Sequence, residues 1–154
     1  MIAAANSYYE GIERGSGDLA AFAPDCHRIE NGVALVNNPH APFDFVSPTG
    51  RELPNFGAMG CREQFDTGIW GTDAIASRRF PLVDERTGVV AAFTIYRNHA
   101  KSRCAEVRGY GQVCTKGPAR VDLDLVELFK VHGGLIHEME SIWTVIPTDQ
   151  GAGW

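Results

Sequence analysis

Along Val121 to Pro147, two runs of β-branched and aromatic residues flank His132-Gly133-Gly134. The pattern predicts a long hairpin whose turn is a glycine pair able to take positive φ. Alternate side chains of a strand point to opposite faces. Leu125, Glu127, Phe129 and Val131 therefore share one face, and Val126, Leu128 and Lys130 the other. On the second arm Leu135, His137, Met139, Ser141, Trp143 and Val145 alternate with Ile136, Glu138, Glu140, Ile142, Thr144 and Ile146. Every face is apolar with polar or charged residues set into it. Both sides of the sheet are thus expected to be covered, one around a pocket and the other on helix or partner. Glu127, a carboxylate among leucine, phenylalanine and valine, is the first candidate for chemistry.

Upstream, Ile2 to Arg14 places Ala4, Tyr8 and Ile12 at helical spacing, and Gly15-Ser16-Gly17 ends that helix. Asp18 is expected to cap a short helical turn stopped by Pro24. Asp25 to Val36 begins as a strand carrying His27, Arg28, Glu30 and Asn31, a polarity that needs a purpose. Asn37 to Gly60, rich in proline and asparagine, reads as a long irregular loop, a lid or a subunit contact, with Phe43, Phe45, Leu53 and Phe56 arguing against disorder. Cys61 to Phe65 suits one or two helical turns. Ile75 to Val83 and Val89 to Asn98 form a second hairpin about Asp84 to Gly88, and Cys104 to Gln112 a short edge strand. Helices first and strands afterwards predict an α+β fold, a curved antiparallel sheet packed with N-terminal helices.

Composition narrows the function classes. At 154 residues with 44% apolar content, the chain suits one domain with a real core, and its net charge of −5 is scattered, favouring neither nucleic acid nor a membrane surface as partner. The absence of a membrane-length apolar run or a basic leader gives cytoplasmic as the expected location. Cys26, Cys61, Cys104 and Cys114 lack metal-ligand spacing and are expected as buried free thiols. Neither a glycine-rich phosphate loop nor a GxSxG elbow occurs. Proton-transfer chemistry in an enclosed pocket, without cofactor or metal, is the remaining expectation.

The stretches YYEGIERGSGDLAAFAPDCHRIENGV, GCREQF, RRFPLVDERTG, VELFKVHGGLIHEMES and GAGW, in this element order, resemble the SnoaL-like family of the nuclear-transport-factor-2-like superfold. That likeness implies a cone-shaped α+β domain spanning 1–154 and a homodimer formed through the outer sheet face, with Ile136, Ile142 and Ile146 as interface candidates. Within the family the chain is similar to the cofactorless diarylpropane γ-formaldehyde lyases of lignin catabolism. This implies release of formaldehyde from a 1,2-diarylpropane-1,3-diol to leave a stilbene. The superfold hosts many chemistries, so an isomerase, dehydratase or cyclase, or a non-catalytic binding or dimerisation module, are the alternatives.

Candidate roles follow from residue chemistry. Glu127 matches by position the carboxyl that ketosteroid isomerase sets beside its oxyanion, and its apolar strand should raise its pKa; a structural ion pair with Arg79 or Lys130 is the alternative. His27 is the candidate general base and Tyr96 the candidate proton donor. Arg62 and Arg79 offer donor forks for a phenol or carboxylate. Trp70, Phe129, Met139 and Trp143 could line an aromatic pocket, with His99 at its rim; at strand spacing such residues more often belong to a core.

Overall fold

A computed structural model describes residues 1–98, 104–115 and 121–151 of the chain. Helix α1 (Ile2–Arg14) buries Ala4, Ala5, Tyr8, Tyr9 and Ile12, the stripe a 3.6-residue repeat requires, and Gly15 closes it in the left-handed region at φ 56°. The short helix expected from Asp18 is a turn and bend over 17–20. Phe22 instead opens a strand, where it buries its ring edge-on to Phe65 at 4.9 Å.

The strands are β1 (Phe22–Glu30), β2 (Val33–Ala34), β3 (Phe45–Val46), β4 (Ala74–Asp84), β5 (Val89–Arg97), β6 (Cys104–Val107), β7 (Gly111–Thr115), β8 (Asp122–His132) and β9 (Leu135–Ile146), with a second helix, α2 (Cys61–Asp66), between β3 and β4. The main sheet runs β2-β1-β9-β8-β5-β4 and a smaller one β3-β7-β6. The main sheet is mixed, because β1 pairs parallel with β9. Side-chain alternation is the same for both strand directions, so the expected all-antiparallel sheet is corrected here. The long hairpin forms as expected, with Gly133 at φ 57° and Gly134 at φ 81°.

Helix α1 packs against β4, β8 and β9. Tyr8 and Tyr9 meet Phe129 of β8 edge-on, at centroid distances of 5.3 and 5.8 Å, which fixes where the Tyr9 hydroxyl points. The 37–60 stretch contains β3 and a 3-10 turn at Phe56–Ala58. Its Phe43, Phe45, Leu53 and Phe56 join Val107 and Val113 in a second small core, which is why a segment so rich in proline is held in place.

The face assignments hold on β8, where Leu125, Glu127, Phe129 and Val131 are buried and Val126 and Leu128 exposed. On β9 the register moves from Lys130 opposite Glu138 to Val131 opposite Ile136, leaving His137 as the extra residue of a bulge. Strict alternation fails across that bulge. Ile136 turns inward and is fully buried, so it is no interface residue, whereas Ile142 is 68% exposed. In the single chain the outer face is uncovered at Val126, Leu128 and Ile142, and no helix among the described residues packs on them.

The cysteines are not free thiols. Cys26–Cys61 ties β1 to α2, and Cys104–Cys114 joins β6 to β7 across one register pair. With its ends 35 positions apart in the sequence, the first bridge stabilises the fold by about 4 kcal/mol on the chain-entropy view. Disulfides persist in oxidising surroundings, which counts against the cytoplasmic expectation. Among the described residues no helix is long and apolar enough to cross a membrane.

Candidate functional site

Between α1, the sheet and the segment after α2 lies a cavity of about 540 Å³. Tyr8 and Ile12 of α1, Arg28 and Glu30 of β1, and Ile69 to Thr72 line one part of it; Tyr96, Leu123, Leu125, Glu127, Ser141, Trp143 and Val145 line the sheet side, with Cys104, Ala105 and Thr115 among the rest. None of its lining comes from 37–60. Phe43 and Phe45 of that segment pack on Trp70 of the lining, at centroid distances of 5.1 and 5.7 Å.

Glu127 lies at the sheet wall of this cavity and is 1% exposed. Its register partners are Ala92 on β5 and Ser141 on β9. Small neighbours leave room for three hydroxyls to converge on it. Tyr9 O–H donates to Oε2 at 2.7 Å, Thr94 O–H to Oε2 at 2.9 Å and Tyr96 O–H to Oε1 at 3.1 Å. Burial pushes the carboxyl up, the three donors pull it back, and the balance leaves it at about 7. Burial and the Glu127 charge push the Tyr9 and Tyr96 hydroxyls up, so both stay protonated donors. The result is a carboxyl able to accept or return a proton near neutrality.

This geometry sets a pH dependence of stability. The folded value of about 7 exceeds the ordinary 4.5, so between those limits the folded chain binds more protons than the unfolded one. Stability therefore falls as pH rises through the window, by about 3 kcal/mol in all. Urea unfolding at pH 5 and pH 8 measures it, and Glu127→Gln should remove this contribution to the slope. Parallel pH profiles for the two proteins would show that Glu127 is not perturbed as described.

A second polar group adjoins the first. Arg28 is 2% exposed; its Nε donates to Tyr8 Oη at 3.2 Å, Nη1 to Gln64 Oε1 at 2.6 Å and Nη2 to Glu30 Oε1 at 2.6 Å. Gln64 in turn donates to the carbonyls of Leu35 and Phe56 at 2.5 and 2.7 Å. Trp143 Nε1–H reaches Glu30 Oε2 at 3.3 Å. The guanidinium sits among the rings of Phe65, Trp70 and Tyr8, 5.1 to 5.8 Å from their centroids, where cation–π attraction offsets part of its desolvation.

The structure brings Glu127, Tyr96, Trp70 and Trp143 to one cavity. Phe129 and Met139 are fully buried in the core and line none of it. His27 corrects its assignment as general base: Cys26 and Arg28 face inward, so the residue between them is turned outward and exposed. Arg62 is exposed and paired with Asp18 at 2.6 Å, while Arg79 is exposed, its guanidinium over the Phe93 ring at 6.0 Å. Neither reaches the cavity. Lys130, the other ion-pair partner considered for Glu127, is exposed and bonds the Thr87 carbonyl. His99 lies outside the described residues. Sequence reasoning missed Tyr8, Tyr9, Arg28, Glu30, Thr94 and Ser141. The polarity of β1 was the available signal, and reading its parity from Cys26 rather than His27 finds Arg28.

No curated protein matches the chain in sequence. Among solved structures, it is similar to PrhC from Penicillium brasilianum NBRC 6234 (15% identity, 93% of this chain and 79% of that one, TM-score 0.45). It is also similar to a hypothetical protein with ketosteroid isomerase-like fold from Catenulispora acidiphila DSM 44928 in complex with trimethylamine (10%, 90% and 82%, 0.44). A third likeness is to the C. albicans Mtr2-Mex67 M domain complex (14%, 96% and 96%, 0.46). Likenesses this distant carry no inference about chemistry. The family profile that spans residues 1–143 does place the chain: it belongs to the family described as domain of unknown function DUF8021.

Proposed function

We propose that the cavity binds a small, hydrophobic, oxygenated aromatic molecule and transfers a proton on it without a cofactor. Glu127 takes and returns the proton and Tyr96 assists as hydrogen-bond donor. The observation that carries this reading is a buried carboxyl on the wall of a 540 Å³ cavity, held by three hydroxyls and poised at about 7. A cavity of that volume suits a molecule with two aromatic rings, and an unpaired carboxylate buried without a role is costly.

In the lyase version the substrate is a 1,2-diarylpropane-1,3-diol. Glu127 removes the terminal hydroxyl proton, the O–H pair becomes the carbonyl of formaldehyde, and the broken C–C bond supplies the stilbene double bond. The benzylic hydroxide leaves and regains a proton, so stilbene, formaldehyde and water balance the diol. With His27 turned outward, this version rests on Glu127 alone as base. The isomerase or dehydratase version keeps Glu127 and Tyr96 and moves a proton between carbons or expels water. A mass-spectrometric turnover screen over diarylpropane diols and aryl ketones, with a formaldehyde trap, separates the versions. If no substrate turns over and Glu127→Gln leaves ligand affinity unchanged, the cavity belongs to a binding module.

The exposed outer face at Val126, Leu128 and Ile142 is proposed to pair with a second copy of the chain, as the family resemblance implies. Sedimentation at micromolar concentration should give a dimer; a monomer throughout would exclude this pairing.

A further inference from the structure

Two buried side-chain polar atoms among the described residues have no protein partner: Trp70 Nε1 and Ser141 Oγ. Both residues line the cavity. The other buried polar side chains of the lining are satisfied: Glu127 has three donors, and Arg28 bonds Tyr8, Gln64 and Glu30. Buried polar groups in folded chains are hydrogen-bonded, so two orphans in one otherwise satisfied cavity mark where a ligand is met. Ser141, 1% exposed, lies in register between Glu30 on β1 and Glu127 on β8. The Trp70 ring lies against the Arg28 guanidinium at 5.3 Å.

Resting on the reading that this cavity binds a small hydrophobic molecule, we propose that Trp70 and Ser141 form a donor subsite for an uncharged oxygen acceptor of the ligand, a carbonyl group. The donor character follows from chemistry: an indole N–H only donates, and the Ser141 hydroxyl can direct its hydrogen the same way. The preference for an uncharged acceptor follows from the charges that face the subsite. Arg28 is answered by Glu30 at 2.6 Å, and Glu127 adds negative rather than positive charge. A carboxylate would meet no surplus cation there, while a carbonyl needs none.

The test is calorimetric binding of two probes that differ only in the acceptor, 1,2-diphenylethanone and 1,2-diphenylethane, with a carboxylated 1,2-diphenylethane as the charged control. Wild-type protein should bind the ketone about tenfold more tightly than the hydrocarbon, the ratio expected of one or two buried hydrogen bonds. Ser141→Ala and Trp70→Phe should each lower that ratio at least threefold, with hydrocarbon affinity in Ser141→Ala within twofold of wild type. A ratio near one in wild type, a ratio unchanged in both variants, or tightest binding of the carboxylate overturns the subsite. Ser141→Ala deletes only an unpartnered hydroxyl, so it reports even if Trp70→Phe folds poorly. Binding of neither probe overturns the cavity reading together with the subsite. Ketone selectivity without turnover of any substrate would support the subsite and remove only the catalytic role of Glu127.

Discussion

Glu127→Gln should lower kcat on the substrate found by screening by roughly 10²- to 10⁴-fold, the range associated with loss of a positioned acid or base, while ligand affinity changes only a few-fold. The asymmetry comes from the geometry. A glutamine carbonyl can still accept from Tyr9 and Thr94, which both donate to Oε2, and its amide can turn toward the Tyr96 oxygen. Shape and polarity survive, and the ability to take a proton does not. Glu127→Ala is the blunter variant, since it strands three buried hydroxyls and opens a void, so loss of fold and loss of chemistry would mix. The wild-type profile of kcat/KM should rise on the acid side with a midpoint near the Glu127 value of about 7, as the carboxylate form accumulates. In Glu127→Gln that limb should vanish. Retention of more than a tenth of wild-type kcat, with the acid limb intact, would assign the base to another group.

Arg28→Met should destabilise the fold by about 3–5 kcal/mol, the range for removing one partner of a buried charged pair. Arg28 is buried and serves three acceptors at once: Tyr8, Gln64 and Glu30. Methionine replaces much of its volume but none of its donors, leaving Gln64 Oε1 and one oxygen of Glu30 without them. Gln64 also holds the carbonyls of Leu35 and Phe56, so the loss spreads to the start and end of the 37–60 stretch. Arg28→Lys should recover only part of the stability, because one ammonium on a flexible stem cannot reproduce a planar fork with three directions. Denaturant unfolding measures both. A loss below about 1 kcal/mol for Arg28→Met would show that the network relaxes onto other partners.

The long hairpin, the second hairpin and helix α1 were legible because each is a local pattern: period two about a glycine turn, or a 3.6-residue apolar stripe ended by glycine. Glu127 was legible for the same reason, as a carboxylate on an apolar strand face. The burial of Tyr8 and Ile12 followed from spacing, whereas the contact of Tyr9 with Glu127 spans 118 residues of sequence and has no local trace. The titration chemistry of histidine points to His27, but strand parity with the buried Cys26 turns Arg28 inward and His27 outward. The free-thiol expectation failed because pairing depends on distance in space; Cys26 and Cys61 are brought together only when β1 and α2 pack.

The amino-acid sequence by itself determined helix α1, the two long hairpins, the inward face of β8 and the presence of an acid on it, because those depend on neighbours two to four residues away. Tertiary structure alone decided the parallel pairing of β1 with β9, the bulge at His137 that turns Ile136 inward, and the two disulfides. It alone also gathered Tyr9, Thr94 and Tyr96 about the Glu127 carboxyl. These are contacts between distant segments, and their energies come from burial and hydrogen bonding that exist only once the sheet has closed over α1.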